Sequence, residues 1–175
     1  GFTHWAKLNN LKQAAKTMNF LTEHGISSYG ELESKLNAVS ARRDTAHAEI
    51  KRIESRSAEL ALVMKHAGTY RQLKPLYDRY RKSNDKEKFL RGHESEIILF
   101  EAAARELKRL GAVPLPTTES MKEELANLNE EKERLLAEYK TARTEAQEYN
   151  TVKQNVDALL AVPKEQEQQR RHELE

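Results

Sequence analysis

The densest group of chemically useful side chains lies in the middle of the sequence, where basic and aromatic residues alternate. Between Lys65 and Arg91 there are nine lysines or arginines against three acidic residues, a local charge of +6 in a chain whose net charge is +2. Lysine and arginine neutralise phosphates, and an exposed aromatic ring stacks on an unpaired base. The pattern predicts a nucleic-acid contact surface made of Arg71, Lys74, Tyr77, Arg79, Tyr80, Arg81, Lys82, Lys86, Lys88 and Arg91.

The same segment has a second, purely structural interpretation. Tyr70, Leu73, Tyr77 and Tyr80 recur at intervals of three, four and three residues. This spacing puts the rings on one face of a helix, where they would belong to a core. The cations would then only solvate the opposite face of that helix. The sequence alone leaves both interpretations open.

Side chains suited to catalysis or metal binding are not arranged in a recognisable motif. The chain has no cysteine and no glycine-rich phosphate loop, and no two histidines have the close spacing of a metal motif on one helix. Carboxylates are plentiful, but on exposed helices they most often pair with a basic residue three or four places on. We therefore expect no enzymatic activity, no metal and no cofactor. The scattered histidines are His4, His24, His47, His66, His93 and His172.

The composition predicts an all-α protein with long helices. Apolar residues make up 38% of the chain and charged residues 33%, and the mean hydropathy is -0.86. Glycine and proline are scarce, whereas the good helix formers Ala, Leu, Glu, Lys and Arg dominate. No stretch approaches the roughly 20 apolar residues of a membrane span. With the absence of cysteine, this favours a cytoplasmic protein that does not enter a membrane.

Two heptad stripes predict the main structural feature. Steps of four and three residues from Leu32 to Ala67 meet an apolar residue at nine of eleven places, and such steps from Met121 to Leu160 do so at ten of twelve. This period is typical of coiled coils. Two matched stripes in one chain predict a long antiparallel coiled-coil hairpin and favour a monomer, because tethering raises the effective concentration of the partner helix. Small or polar seam residues such as Ser57 leave a homodimer open.

Breaks in these patterns divide the chain into five parts. The first is an amphipathic helix, with Trp5, Leu8, Leu11, Ala15, Met18 and Leu21 on its apolar stripe and Gly25 as a left-handed C-terminal cap. Pro75, after Gly68, limits the next helix. The start at Gly1 and the end at Leu174-Glu175 suggest an excised fragment with cloning scars. The predicted parts are an N-terminal helix at 3–25, a first coiled-coil helix at 28–67, a helical basic tip at 68–117, a second coiled-coil helix at 118–161 and a tail at 162–175.

A resemblance to a known protein family spans roughly residues 7 to 160. It is carried by the run from Leu11 to Ile26 (LKQAAKTMNFLTEHGI), followed by Tyr29, Leu32 and Glu33, and by the later pieces Tyr77, Tyr80-Arg81-Lys82, Lys88-Phe89-Leu90 and Asn155-Val156-Asp157. These pieces resemble the post-catalytic region of relaxases, the mobilisation nucleases of conjugative transposons and plasmids in Gram-positive gut bacteria.

The resemblance implies a DNA-transfer protein whose amino-terminal nuclease nicks one strand with a histidine-held metal and a tyrosine nucleophile. This chain would be the non-catalytic carboxy-terminal module, binding DNA, single strands included, through its basic tip. The alternative is a spacer and docking arm that recruits transfer proteins through its heptad flanks or first helix without touching DNA. Because no histidines cluster, none of the tyrosines is expected to nick DNA, namely Tyr29, Tyr70, Tyr77, Tyr80, Tyr139 and Tyr149.

Overall fold

A computed structural model describes the backbone of residues 2–174, and the side chains of all these residues except 2, 3, 5, 6 and 162–167. Within this part the chain forms helices and connecting turns but no strand, so the all-α prediction is confirmed. Gly1 and Glu175, the predicted scar ends, and the side chain of Trp5 lie outside the described residues. The helices are α1 Phe2–Glu23, α2 Tyr29–Lys82, α3 Lys86–Arg109 and α4 Thr118–Glu173.

The turn between α1 and α2 is built by two helix caps. Gly25, the predicted C-terminal cap, has a φ of +63°, and the Ile26 N–H donates to the Leu21 carbonyl at 2.8 Å, which completes a Schellman motif. The Ser28 hydroxyl then accepts from the Glu31 N–H at 3.1 Å. The Glu31 carboxylate accepts from the Ser27 N–H at 2.8 Å. These two bonds give the backbone N–H groups of Ser27 and Glu31, at the start of α2, an acceptor.

The chain divides into two compact units. Unit 1 comprises Gly1–Ala48 and Leu135–Glu175, and unit 2 comprises Glu49–Arg134. Unit 1 therefore holds α1, the first part of α2 and the later part of α4. Unit 2 holds the rest of α2 and α4 together with α3.

Within unit 1, α2 and α4 run antiparallel. The Tyr29 hydroxyl donates to Asp157 Oδ1 at 2.7 Å, and Arg42 lies 3.5 Å from Glu145. Further along α2, the His47 ring lies 5.8 Å from the ring of Tyr139. Residue numbers rise along α2 while those of the contacted residues fall along α4, as the hairpin prediction requires.

Unit 2 shows the same antiparallel packing. Arg52 lies 3.5 Å from Glu131, Arg56 bonds Glu124 at 2.7 Å, and Arg71 donates to the Thr118 hydroxyl at 3.0 Å. These partners again descend along α4 as α2 proceeds.

The predicted heptad stripes are the inward faces of both long helices. Every position from Leu32 to Ala67 in the first stripe is buried or half-buried. The second stripe behaves alike except at its last place, where Leu160 is 59% exposed. The sequence therefore predicts both the heptad period of the two stripes and the residues that form them, because a seam of this period must face a neighbouring helix.

Helix α2 does not end at residue 67 as predicted but continues through Gly68 and Pro75 to Lys82. An interior proline leaves one carbonyl without its N–H donor, here that of Arg71, and costs about 3 kcal/mol. The rings of Tyr70 and Tyr77 lie on either side of Pro75 and both stack on Phe100. A continuous helix puts these two rings, seven residues apart, on one face, and their stacking on Phe100 helps to offset the cost of the proline.

Helix α4 also runs past its predicted end at 161, to Glu173, so the predicted tail is helical along its backbone. The tail is rich in glutamate, glutamine and arginine, which are good helix formers and extend the helix already begun.

The predicted apolar stripe of α1 meets the core at Leu21, which is half-buried, whereas its other described members are exposed. Leu8, Leu11 and Met18 are 46%, 67% and 59% exposed. The helix instead packs with the side that carries Thr17, which is 2% exposed, and Phe20. Packing partners on α4, rather than hydrophobicity alone, decide which side of α1 is covered.

Candidate nucleic-acid interface

Six of the predicted cations cluster around the turn between α2 and α3, and we call them the basic turn. Each is exposed, and none forms an ion pair or side-chain hydrogen bond with another described residue. Three belong to the last turn of α2 and three to the first turns of α3. The basic turn consists of Arg79, Arg81, Lys82, Lys86, Lys88 and Arg91.

Two of the nearby acidic side chains are engaged in local structure. Both carboxylate oxygens of Asp78 accept from Lys74 Nζ at 3.1 Å. Asp85 is the N-cap of α3 and accepts from the Lys88 N–H at 3.1 Å. From residue 79 to residue 91 the chain still carries six cations against two acidic residues. The basic turn is therefore a patch of net positive charge whose own side chains remain available.

Arg71 and Lys74, also predicted as phosphate contacts, lie earlier on α2 and are already bonded. The Arg71 guanidinium donates to the Thr118 hydroxyl and to the Pro116 carbonyl, which ties α2 to the start of α4. Lys74 pairs with Asp78. Both side chains thus stabilise unit 2, and their bonds compete with any phosphate contact.

The aromatic rings of the segment form a cluster between α2 and α3. Phe100, which is 5% exposed, stacks on Tyr70 at 4.7 Å and on Tyr77 at 4.2 Å between centroids. Tyr80 lies 6.0 Å from the ring of Phe89. Because Phe100 covers one face of Tyr77, the geometry favours the structural interpretation of these tyrosines over a stacking platform for bases.

The aromatic residues of α3 were the missing half of this pattern. Tyr70 and Tyr77 are seven residues apart, two helical turns, and such a pair needs a partner on the facing helix. Phe89, Ile97 and Phe100 recur along α3 at helical spacing and lie on one side of that helix. The pairing joins residues far apart in sequence, which periodicity within one helix does not reveal.

Helix α3 is interrupted next to the basic turn. His93 has φ -136° and ψ 23°, outside the helical range. It follows Gly92, whose conformational freedom lowers the cost of a kink. The His93 ring packs on Phe89 at 4.7 Å, and its Nδ1 lies 3.6 Å from the Glu96 carboxylate. The kink separates the segment carrying Lys86, Lys88 and Arg91 from the buried part of α3.

The described side chains form no metal centre. No group of three or more His, Asp or Glu side chains among them is placed to hold a metal ion. In the same part of the chain, no helix combines the length and apolar character needed to cross a bilayer.

Comparison with known proteins by family model, by sequence and by solved structure finds no match to this chain.

Proposed function

We propose that the chain is a non-catalytic helical module that binds the phosphate backbone of nucleic acid through the basic turn. The observation that carries this proposal is the group of six exposed cations, none paired with another described residue, on two consecutive helix ends. Paired cations on a solvated helix face would have their charge already satisfied. Here the charge is left for a ligand with several negative groups in a row, as a nucleic-acid backbone has.

Because the sequence resembles relaxases, we propose that the nucleic acid is DNA that is undergoing conjugative transfer. The module would hold DNA while a separate nuclease acts, since the chain lacks clustered histidines for that chemistry. Its alternative role, a spacer that docks transfer proteins without touching DNA, makes the opposite prediction for every DNA titration described below.

The proposed binding mode is contact with phosphates rather than with bases. Backbone contacts fix position and supply affinity but carry no sequence information. Phe100 covers one face of the Tyr77 ring, which argues against base stacking at that residue. We therefore expect weak sequence preference and similar behaviour with duplex and single-stranded DNA.

The test is a fluorescence-anisotropy titration of labelled duplex and single-stranded DNA over a series of salt concentrations. Each phosphate contact changes the logarithmic salt slope by about -0.9 for duplex DNA and about -0.7 for single strands. If four to six of the cations make contact, the duplex slope should be about -4 to -5. An absence of DNA binding at low salt would refute the proposal and favour the alternative role as a protein-docking spacer.

A charge-reversal pair locates the contact. Arg81→Glu with Lys82→Glu should weaken binding at low salt by at least about tenfold, because two contacts are replaced by repulsion. The matched control is Lys140→Glu with Arg143→Glu in unit 1, where both residues are exposed. It makes the same change in net charge, so equal losses in the two variants would show only a general charge effect and would refute the assignment.

A further inference from the structure

Helix α1 has two apolar sides, and the described residues of the chain cover one of them. On the covered side the Thr17 hydroxyl accepts from Asn155 Nδ2 at 3.3 Å, and Phe20 meets Tyr149 edge-on at 5.1 Å. Leu21 is half-buried in the same cluster. The other side carries the outer stripe, which we define as Leu8, Leu11, Ala15 and Met18, all exposed.

The outer stripe has the spacing of a coiled-coil seam. Its members follow each other at intervals of three, four and three residues, which are the a and d positions of two heptads. At 3.6 residues per turn they occupy an arc of about 80°. This is narrower than the apolar face of roughly 100° or more that an ordinary core-facing helix shows. A helix of matching spacing fits such a seam.

The positions beside the stripe are positively charged. Lys7 and Lys12 flank it at the g and e positions, and Lys16 follows on the same helix. The first acidic residue of the chain is Glu23, at the end of α1. Since charges at the e and g positions set the choice of partner in coiled coils, this seam selects for acidic flanks.

We propose that the outer stripe of α1 docks an amphipathic helix of a protein partner that carries leucine-like residues on its seam and glutamate or aspartate at its flanks. This surface is separate from the basic turn and goes beyond the proposed nucleic-acid contact. The apolar contacts supply affinity, and the charge pairing supplies specificity.

A second copy of the chain fits the stripe less well. In a parallel pair, the g residue of one helix faces the e residue five places further on in the other, so Lys7 would face Lys12 of the copy. An antiparallel pair brings like flanks together and again sets lysine against lysine. Like charges at these positions are unfavourable, whereas an acidic partner forms favourable pairs in either orientation.

A membrane surface also fits less well. Helices that lie in a membrane interface insert a broad face of bulky apolar side chains. The outer stripe offers three large side chains and one alanine along a narrow seam, and the flanking lysines border it closely. A helix fills such a seam more completely than lipid does.

The test measures binding of the full chain to a synthetic helical peptide of about three heptads, with leucine at a and d and glutamate at e and g. A second peptide with lysine in place of every glutamate is the charge control. We expect the acidic peptide to bind at least about tenfold more tightly than the basic one. Equal affinity for the two peptides, or no binding of the acidic one, would overturn the proposal.

Variants assign the binding to the stripe. Leu11→Ala with Met18→Ala should weaken binding of the acidic peptide at least about tenfold. Leu136→Ala, at another exposed leucine of unit 1, is the matched control and should leave binding within about twofold. Lys7→Glu with Lys12→Glu should reverse the preference, so that the basic peptide becomes the tighter ligand. Circular dichroism checks that each variant keeps its helix content.

Two further measurements address the other occupants. Co-sedimentation is tested with vesicles of phosphatidylglycerol and phosphatidylcholine, and the mass of the free chain is followed by analytical ultracentrifugation. Vesicle binding that is lost in the Leu11→Ala, Met18→Ala variant would show that the outer stripe binds a membrane. A dimer that is lost in the same variant would show that the stripe binds a second copy of the chain. Either result would overturn the proposal. We expect neither.

Discussion

Arg56 and Glu124 form a bidentate ion pair between α2 and α4 in unit 2. Arg56 Nε donates to Glu124 Oε1 at 2.7 Å, and Arg56 Nη2 donates to Glu124 Oε2 at 3.1 Å. Arg56 Nη1 also donates to Glu59 at 3.0 Å, so one guanidinium joins two carboxylates. The bond to Glu124 raises the pKa of the Arg56 guanidinium. Planar fork geometry of this kind is available to arginine and not to lysine.

The first prediction concerns this pair. Arg56→Lys keeps the charge but removes the fork, and the Arg56 side chain is 41% exposed, so we expect a loss of only about 0.5–1 kcal/mol in the free energy of unfolding. Urea denaturation followed by circular dichroism measures it. Lys51→Gln, which breaks a single exposed contact to Glu54 at 3.4 Å, is the control and should change stability less. A larger effect in the control would contradict the role given to the fork.

The second prediction compares alanine substitutions at two glycines, both of which have room for an added Cβ. Neither Gly25 nor Gly68 has a heavy atom within 4 Å of an added Cβ, but Gly25 has φ +63° whereas Gly68 lies inside α2. Gly25→Ala should destabilise the fold by about 1 kcal/mol, because a side chain disfavours the left-handed conformation. Gly68→Ala should stabilise it by about 0.5–1 kcal/mol through higher helix propensity. Thermal denaturation of the two variants decides, and shifts of the same sign would be inconsistent with these backbone assignments.

The third prediction is a pH dependence at the start of α2. The hydrogen bond from the Ser27 backbone N–H, with that from the Ser27 hydroxyl, holds the pKa of the Glu31 carboxyl below its usual value of 4.5. Because the folded-state pKa is the lower one, the carboxylate stabilises the fold above the unfolded pKa, and this contribution is lost as pH falls through the folded pKa. The melting temperature of Glu31→Gln should therefore lie below that of the wild type at neutral pH and approach it in acid.

The control for that experiment is Glu33→Gln. Glu33 is exposed and makes no hydrogen bond or ion pair with the described residues. The melting temperature of the Glu33→Gln variant should follow that of the wild type across the same pH range. A gap between Glu31→Gln and the wild type that persists unchanged below the unfolded pKa would contradict the proposed cause.

The fourth prediction separates packing from DNA contact at Tyr77. Tyr77→Phe keeps the ring that stacks on Phe100 and should leave both stability and DNA affinity close to those of the wild type. Tyr77→Ala removes a half-buried ring and should cost about 3 kcal/mol, near the lower end for large core deletions. Urea denaturation and DNA anisotropy are measured on the same samples. Reduced DNA affinity without reduced stability would restore the stacking role for this tyrosine.

Much of the scaffold was predictable because local patterns determine it. The stripe from Leu32 to Ala67 repeats a seam period that must face another helix, and Gly25 followed by Ile26 ends α1 by a local hydrogen-bond pattern. The clustering of the basic turn also follows from sequence, since its cations lie within thirteen positions, from residue 79 to residue 91.

The remainder depended on contacts between distant residues. Pro75 signals the end of a helix locally, yet the stacking of Tyr70 and Tyr77 on Phe100 keeps α2 continuous. On α1, the exposed face carries the more regular apolar spacing, and among the described members of the predicted stripe Leu21 meets the core. The buried side is chosen by Asn155 and Tyr149 of α4, which lie more than a hundred residues away in sequence.

The most direct test of the central claim is the salt dependence of DNA binding in matched charge variants. Wild type and the Lys140→Glu, Arg143→Glu control should share one logarithmic salt slope, while the Arg81→Glu, Lys82→Glu variant should be less steep by about 2, one for each phosphate contact removed. That result would place phosphates on the basic turn. Identical slopes in all three proteins would contradict the account.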